Sequence, residues 1–257
     1  MLGGLGAVAA WAAVQRQGEE LQARFAARRD VAQDMARFRE RAARIGSVDE
    51  LLRDRRTLQV VLEAFQLESE IGKGAVLRRL LTDDPGDERS FANRMVDRRY
   101  REINAAFGGR AGRPLGDPAL VERIVRLATA NRFEKAMGED NPGLREALYF
   151  QRRIGAIGSV TELMSDRALT AVARGGLGLP PQFALLSFER QKALLTQRLA
   201  PAEFKDPKAM ARLAQRYLLH ADTPGGGASV PPLLAFGGRD GMARLAVPAG
   251  ARLSFVA

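Results

Sequence analysis

Apolar side chains recur along this chain at the three- and four-residue intervals of a buried helix face. Over residues 18–44 the stripe is Leu21, Phe25, Ala32, Met35, Phe38 and Ala42, reaching Ile45, with arginines and acids between, which predicts one long charged helix. Leu51, Leu58, Leu62 and Phe65 form a second stripe, and Val96, Tyr100, Ile103 and Phe107 a third. Period-two alternation is nearly absent until the end, where "ARLAVPAGARLSFVA" holds short β-prone runs. The pattern predicts an all-α, multi-helical protein with an irregular C-terminal tail.

The second stripe is written twice. "ARIGSVDELLRDRRTLQVV" at 43–61 returns as "GAIGSVTELMSDRALTAVA" at 155–173, and between Ile45 and Val60 nine of sixteen positions match at an offset of 112. The matches are polar as well as apolar, so shared helical composition does not explain them. Gly46 can end one helix, and Ser47 with Glu50 has the spacing of a capping box for the next; Gly158, Ser159 and Glu162 repeat it. Leu163 takes the place of Leu51, after which the apolar match weakens at Thr170 and Arg174. Asp54-Arg55 and Asp166-Arg167 add a cap or ion pair in each copy. Two related helical units are therefore expected.

Asp84-Pro85, Asp117-Pro118, Asn141-Pro142 and Asp206-Pro207 pair a capping residue with a proline suited to a first helical turn. Helices are predicted at 118–137, 142–154, 182–198 and 207–219, and Asp87 is read as the cap of the helix holding Val96 to Phe107. Glycine- and proline-rich connections cover 108–117, 174–181 and 221–232. The division expected is an apolar segment 1–17, a first unit 18–113, a second 114–220, and a linker and tail 221–257.

Leu2 to Val14 are thirteen consecutive apolar or glycine residues, the length of a signal-peptide core but too short to cross a bilayer, and no base precedes them. No integral membrane insertion is expected; the segment, which contains Trp11, is read as a docking, packing or targeting element. "GLGAVA" within it imitates part of a dinucleotide fingerprint without the strand such a motif requires.

The net charge of +10 is diffuse: residues 1–36 are neutral, 37–113 hold seventeen bases against thirteen acids, and the remainder nineteen against thirteen. A diffuse excess steers encounters with anions without identifying nucleic acid. Its densest feature is Arg94, Arg98 and Arg101, predicted to share one helix face opposite Val96, Tyr100 and Ile103. That face is read as a solvated one laced by Asp97 and Glu102, or as one suited to an acidic protein surface, with nucleic acid as the alternative partner.

Catalytic chemistry finds little to build on. Cysteine is absent and His220 is the sole histidine, so thiolate nucleophiles and multi-histidine metal sites are excluded. Asp49-Glu50 and Asp83-Asp84 are adjacent acids at helix starts and read as caps rather than paired catalytic carboxylates. "IGKGAVLRR" carries Gly72, Lys73 and Gly74, but Leu67 and Gly74 stand where a phosphate loop needs glycine and serine or threonine. No catalytic residue, cofactor or metal ligand is assigned.

The strings "IGSVDELLRDRRTLQVVLEAFQL", "SFANRMVDRRY" with "FGG" following, "FEKAMGEDNPGLREALYFQRR" and "GLGLPPQFALLSFERQKALL" resemble a family of alphaproteobacterial flagellar-associated proteins of unassigned biochemical function. The resemblance runs from about Trp11 to Leu219, and its most specific marker is Phe91, Ala92, Asn93 and Arg94 followed by Asp97, Arg98, Arg99 and Tyr100. The second unit has no counterpart of that signature, reading "MARLAQRYLL" instead. The resemblance implies a flagellar or flagellar-export protein as partner, and a cytoplasmic or flagellum-associated location with export through the flagellar route as the alternative. With no active-site constellation, the chain reads as a non-enzymatic interaction factor in flagellum assembly or regulation.

Overall fold

The computed structural model describes residues 6–109, 113–141 and 143–221, and every regular element among them is helical. The first half runs α1 (Ala7–Ala26), α2 (Arg29–Ala42), α3 (Val48–Arg53), α4 (Arg55–Ala64), a 3-10 turn at Glu68–Glu70, α5 (Gly74–Thr82), α6 (Phe91–Arg94) and α7 (Arg98–Phe107). The second runs α8 (Pro118–Asp140), α9 (Leu144–Ile154), α10 (Val160–Met164), α11 (Arg167–Gly176), a 3-10 turn at Pro181–Leu185, α12 (Phe188–Arg198), a further 3-10 turn at Pro201–Lys205 and α13 (Pro207–Ala221). The expected all-α, multi-helical class holds. The same order of long helix, helix, short capped helix, helix, 3-10 turn, helix, short turn and closing helix occurs twice, so the duplication extends well beyond the repeated sentence. The first series begins at Ala7, because residues 7–17 form the opening of α1. The β-prone tail lies outside the described residues.

The repeated sentence is two successive helix caps. Ser47 and Ser159 share one extended backbone conformation, with φ −148° and −151°. Each Oγ accepts from the backbone N–H three residues on, Glu50 at 3.2 Å and Glu162 at 3.1 Å. The Glu50 and Glu162 carboxylates reach back to accept from the N–H of Gly46 and Gly158, both at 2.7 Å. Asp54 then caps α4 through the Thr57 N–H, and Asp166 caps α11 through the N–H groups of Ala168 and Leu169. The chain therefore breaks at Asp54 instead of running as one helix from Val48 to Phe65, although Leu51, Leu58, Leu62 and Phe65 are all buried as expected. Ser47→Ala and Ser159→Ala should each cost ~1 kcal/mol, the worth of one cap, read as parallel losses in urea unfolding.

Burial pushes the Asp54 carboxyl up, but the Thr57 N–H and the Arg41 guanidinium together hold it below the usual carboxylate range. A carboxyl whose folded pKa is depressed contributes stability above its unfolded value, near 4, and loses that contribution as pH falls through the lower folded value.

Several boundaries differ from the pattern's first reading. The long helix expected over 18–44 is two helices, because Arg28 leaves the helical conformation at ψ 137°. Continuing the helix would have put Ala32 inside; the break rotates α2 so that Val31 is buried and Ala32 exposed, hiding the larger side chain. Asp117 and Asp206 cap α8 and α13 as predicted, accepting from Ala119, and from Lys208 and Ala209. Asp84 and Asp87 instead turn the loop before α6 by accepting from Gly86 and Arg89, and Ser90 caps that helix. Gly143, at φ 82°, opens α9 where Asn141-Pro142 was expected to.

The two halves close differently. α11 packs most extensively against α13, whereas α7 lies on α5 and the face of α4 is covered by α8. The sequence difference responsible is small: Gly175-Gly176 in α11 occupies the place of Glu63-Ala64 in α4. A Cβ on Gly176 would stand 2.4 Å from the Leu213 carbonyl oxygen and one on Gly175 2.6 Å from the Tyr217 ring, so only glycine lets α13 approach. Glu63, by contrast, binds Arg132 of α8 at 2.8 Å. Phe25 of α1 meets Phe133 of α8 edge to face, ring centres 5.7 Å apart, joining the halves through the core. No helix among the described residues is long and apolar enough to cross a membrane.

Candidate interaction site at the junction of the two halves

The signature from Phe91 to Tyr100 forms a brace between the halves. Ser90 starts α6, and the Asn93 side-chain amide donates to the carbonyls of Pro85 and Asp87, each at 2.9 Å, which closes the preceding loop. Phe91 receives Arg79 over its face and the Tyr100 ring at its edge. The backbone then extends at Met95 and Asp97, and Asp97 caps α7 through the Arg99 N–H at 2.9 Å.

Asp97, Arg98 and Arg99 are drawn into contacts with the rest of the fold. Asp97 grips the Arg99 guanidinium, whose Nη1 donates to the Gln66 carbonyl at 2.8 Å. Gln66 is the one non-glycine residue at positive φ among those described, at 56°, so Arg99 secures a strained turn. Burial opposes the charge on Arg99, yet Asp97 more than offsets it and holds the guanidinium protonated. Arg98 reaches the second unit, donating to the Ala156 carbonyl at 3.0 Å and to Glu162 at 3.3 Å. Glu162 is the capping acid of the second repeated sentence, so the first half's signature reads the second half's cap.

Arg153 of α9 completes the brace with a two-pronged pair to Glu102 of α7. Beside it the Tyr149 hydroxyl donates to Asp166 at 2.6 Å, and burial, with Asp166 adding to it, pushes Tyr149 far above the usual phenol range. The cluster thus sets Arg98, Arg99 and Arg153 against Asp97, Glu102, Glu162 and Asp166, and its tyrosine stays protonated. It ties helices of the first half to helices of the second through ion pairs and hydrogen bonds. Arg153→Ala should cost ~2 kcal/mol, below the ~3–5 kcal/mol of a fully buried pair because Glu102 keeps some water contact. A cycle with Glu102→Gln in urea unfolding should return a coupling of ~1 kcal/mol or more.

The sequence-predicted residues separate into three groups. Ser47, Glu50, Ser159 and Glu162 are caps, and Glu162 has the added contact to Arg98. Trp11, read as a docking residue, is 2% exposed inside α1 and belongs to the core. Arg94, Arg98 and Arg101 do not share a helix face: the extended link at Met95 puts Arg94 at the end of α6, Arg98 is drawn into the brace, and Val96, placed on the buried side by periodicity, is 76% exposed. Periodicity assumed an unbroken helix there, and the capping acid Asp97 was the sign of a new start. Tyr149 and Arg153 were missed, and Arg99 was named only within the marker of the resemblance; for Arg153 a sign existed, since it stands 112 positions after Arg41, which pairs with the equivalent cap Asp54 at 2.8 Å.

A cleft of about 750 Å³ opens where α1 kinks at Gln17, walled by α8 and α9. Across it Gln15 pairs with Gln151 through both amides, and Arg152 with Glu134 through two hydrogen bonds. Among the described residues no group of three or more His, Cys, Asp or Glu is arranged to hold a metal ion.

A family model described as "Protein of unknown function (DUF1217)" matches residues 64–210, a span from the end of α4 into α13 that contains the whole brace. No curated protein matches the chain. The crystal structure of protein AGR_C_984 from Agrobacterium tumefaciens is similar, at 26% identity over 81% of this chain and 90% of that one, with a TM-score of 0.73. That coverage exceeds either half, so the likeness takes in helices of both.

Proposed function

The chain belongs to the DUF1217 family, and from that premise we propose that it is a non-enzymatic protein-interaction factor serving assembly or regulation of the bacterial flagellum. The observation that carries the interaction reading is where the charge lies. At the brace every arginine meets carboxylates, while exposed bases on α7 and α13 form no ion pair among the described residues. With a net charge of +10, such bases raise encounter rates with an acidic surface. The flagellar context rests on the resemblance of the repeated sentence and of the Phe91–Tyr100 signature to flagellar-associated proteins. A partner among flagellar or flagellar-export proteins follows from the same resemblance, as does work in the cytoplasm or at the flagellum. The nucleic-acid reading depended on Arg94, Arg98 and Arg101 acting as one face, and it loses its middle residue to Glu162.

Deleting the gene, scoring swimming and flagella by microscopy, and capturing the native protein with its partners tests this reading. Impaired motility together with a flagellar protein in the captured set is the expected result. Normal flagella and swimming with no flagellar protein captured would overturn it.

A further inference from the structure

Lys208, Arg212 and Arg216 stand four residues apart on α13 and are exposed, with exposed Lys205 just ahead of them. Four residues of helix rise about 6 Å, so the three bases repeat along a gently winding row roughly 12 Å long. The opposite side of α13 is buried through Met210, Leu213, Ala214, Tyr217 and Leu218, so the row sits on a backbone already ordered by the core. The acids closest in sequence serve as caps: Asp206 accepts from the N–H groups of Lys208 and Ala209, and Glu203 from that of Ala200. Residues 222–257 contain three arginines and two aspartates, and so offer no acid-rich segment of this chain to match the row.

We propose that this face of α13 docks an acidic helix of a partner protein, an inference that rests on the interaction reading above and gives it a surface and a partner chemistry. A helix bearing carboxylates every fourth residue has the same 6 Å repeat, and rows at that spacing are the ridges along which helices pack. Ala209 and Ala211, half-buried and small, flank the row on its two sides, which allows a second helix to come close. A nucleic-acid strand would draw on aromatic faces for stacking or on a basic groove; a single row flanked by alanines suits a helix better.

The test uses the full chain and three labelled probes in anisotropy titrations: an alanine-based helical peptide with glutamate at every fourth position, a peptide of the same composition with its glutamates spread around the helix, and a generic DNA duplex. The striped peptide should bind about fivefold or more tighter than the spread one. Combining Lys208→Glu, Arg212→Glu and Arg216→Glu should weaken it about tenfold or more, while Arg94→Glu with Arg101→Glu changes it less than about twofold. Unchanged circular dichroism would show the reversed chain folded. Equal binding by wild-type and triply reversed chains, equal binding of the two peptides, or preference for the duplex would each overturn the proposal. Flagellar proteins captured equally by the triply reversed chain would sink this surface and leave the flagellar reading standing. Striped-peptide binding by a chain whose deletion leaves swimming normal would do the reverse.

Discussion

Phe133→Ala is expected to destabilise the chain by about 3–5 kcal/mol, the cost of emptying a large aromatic from a packed core. Phe133 is 1% exposed, and its ring meets the edge of Phe25 across the two halves at 69°. Truncation removes buried area and also an edge-to-face contact worth ~0.5–1.5 kcal/mol beyond that area. Phe25→Ala should lose a comparable amount, and the double variant less than the sum, since both remove the same contact. For a chain of this size the single change should lower Tm by roughly 6–20 °C. Urea unfolding followed by circular dichroism decides it: a loss below ~1 kcal/mol would mean that the halves are not joined through these rings.

Gly176→Val should be comparably damaging, ~3 kcal/mol or more, by overpacking rather than by a void. A Cβ there would fall 2.4 Å from the Leu213 carbonyl oxygen and 2.9 Å from its Cδ1, and a helix carbonyl cannot step aside as a flexible side-chain tip can. Relief requires α13 to move away from α11, exposing Leu213, Tyr217 and Leu218. Hydrogen exchange should therefore show protection lost across α13 while α4 and α8 keep theirs. The control lies in the first half, where Ala64 already carries a Cβ at the equivalent position and Ala64→Gly should cost only ~1 kcal/mol. Full protection of α13 in Gly176→Val would refute the close approach. Because the basic row rides on α13, binding of the striped peptide should fall in the same variant.

Function was less legible than fold, for reasons that particular residues make plain. Arg94, Arg98 and Arg101 have helix-face spacing, but spacing carries no information about a cap at Asp97 that restarts the helix and turns Arg98 toward Glu162. Trp11 in an apolar segment fits a docking residue and a core residue equally well; α1 packing onto α13, α8 and α9 chose the core. The row on α13 was visible as bases four apart opposite Met210, Leu213 and Tyr217, but without the fold nothing set it above the other arginines.

By itself the sequence determined the helical class, the duplication and the helix starts at Ser47, Ser159, Asp117 and Asp206, since these rest on periodicity and on hydrogen bonds spanning two or three residues. Only the tertiary structure decided where α1 gives way to α2, which helix covers α4 and which covers α11, and which arginines stay outside. Those outcomes depend on surfaces far apart in the chain meeting each other. Gly176 admits a backbone that Ala64 does not, Val31 outweighs Ala32 for a place inside, and Arg98 finds in Glu162 a carboxylate 64 residues away.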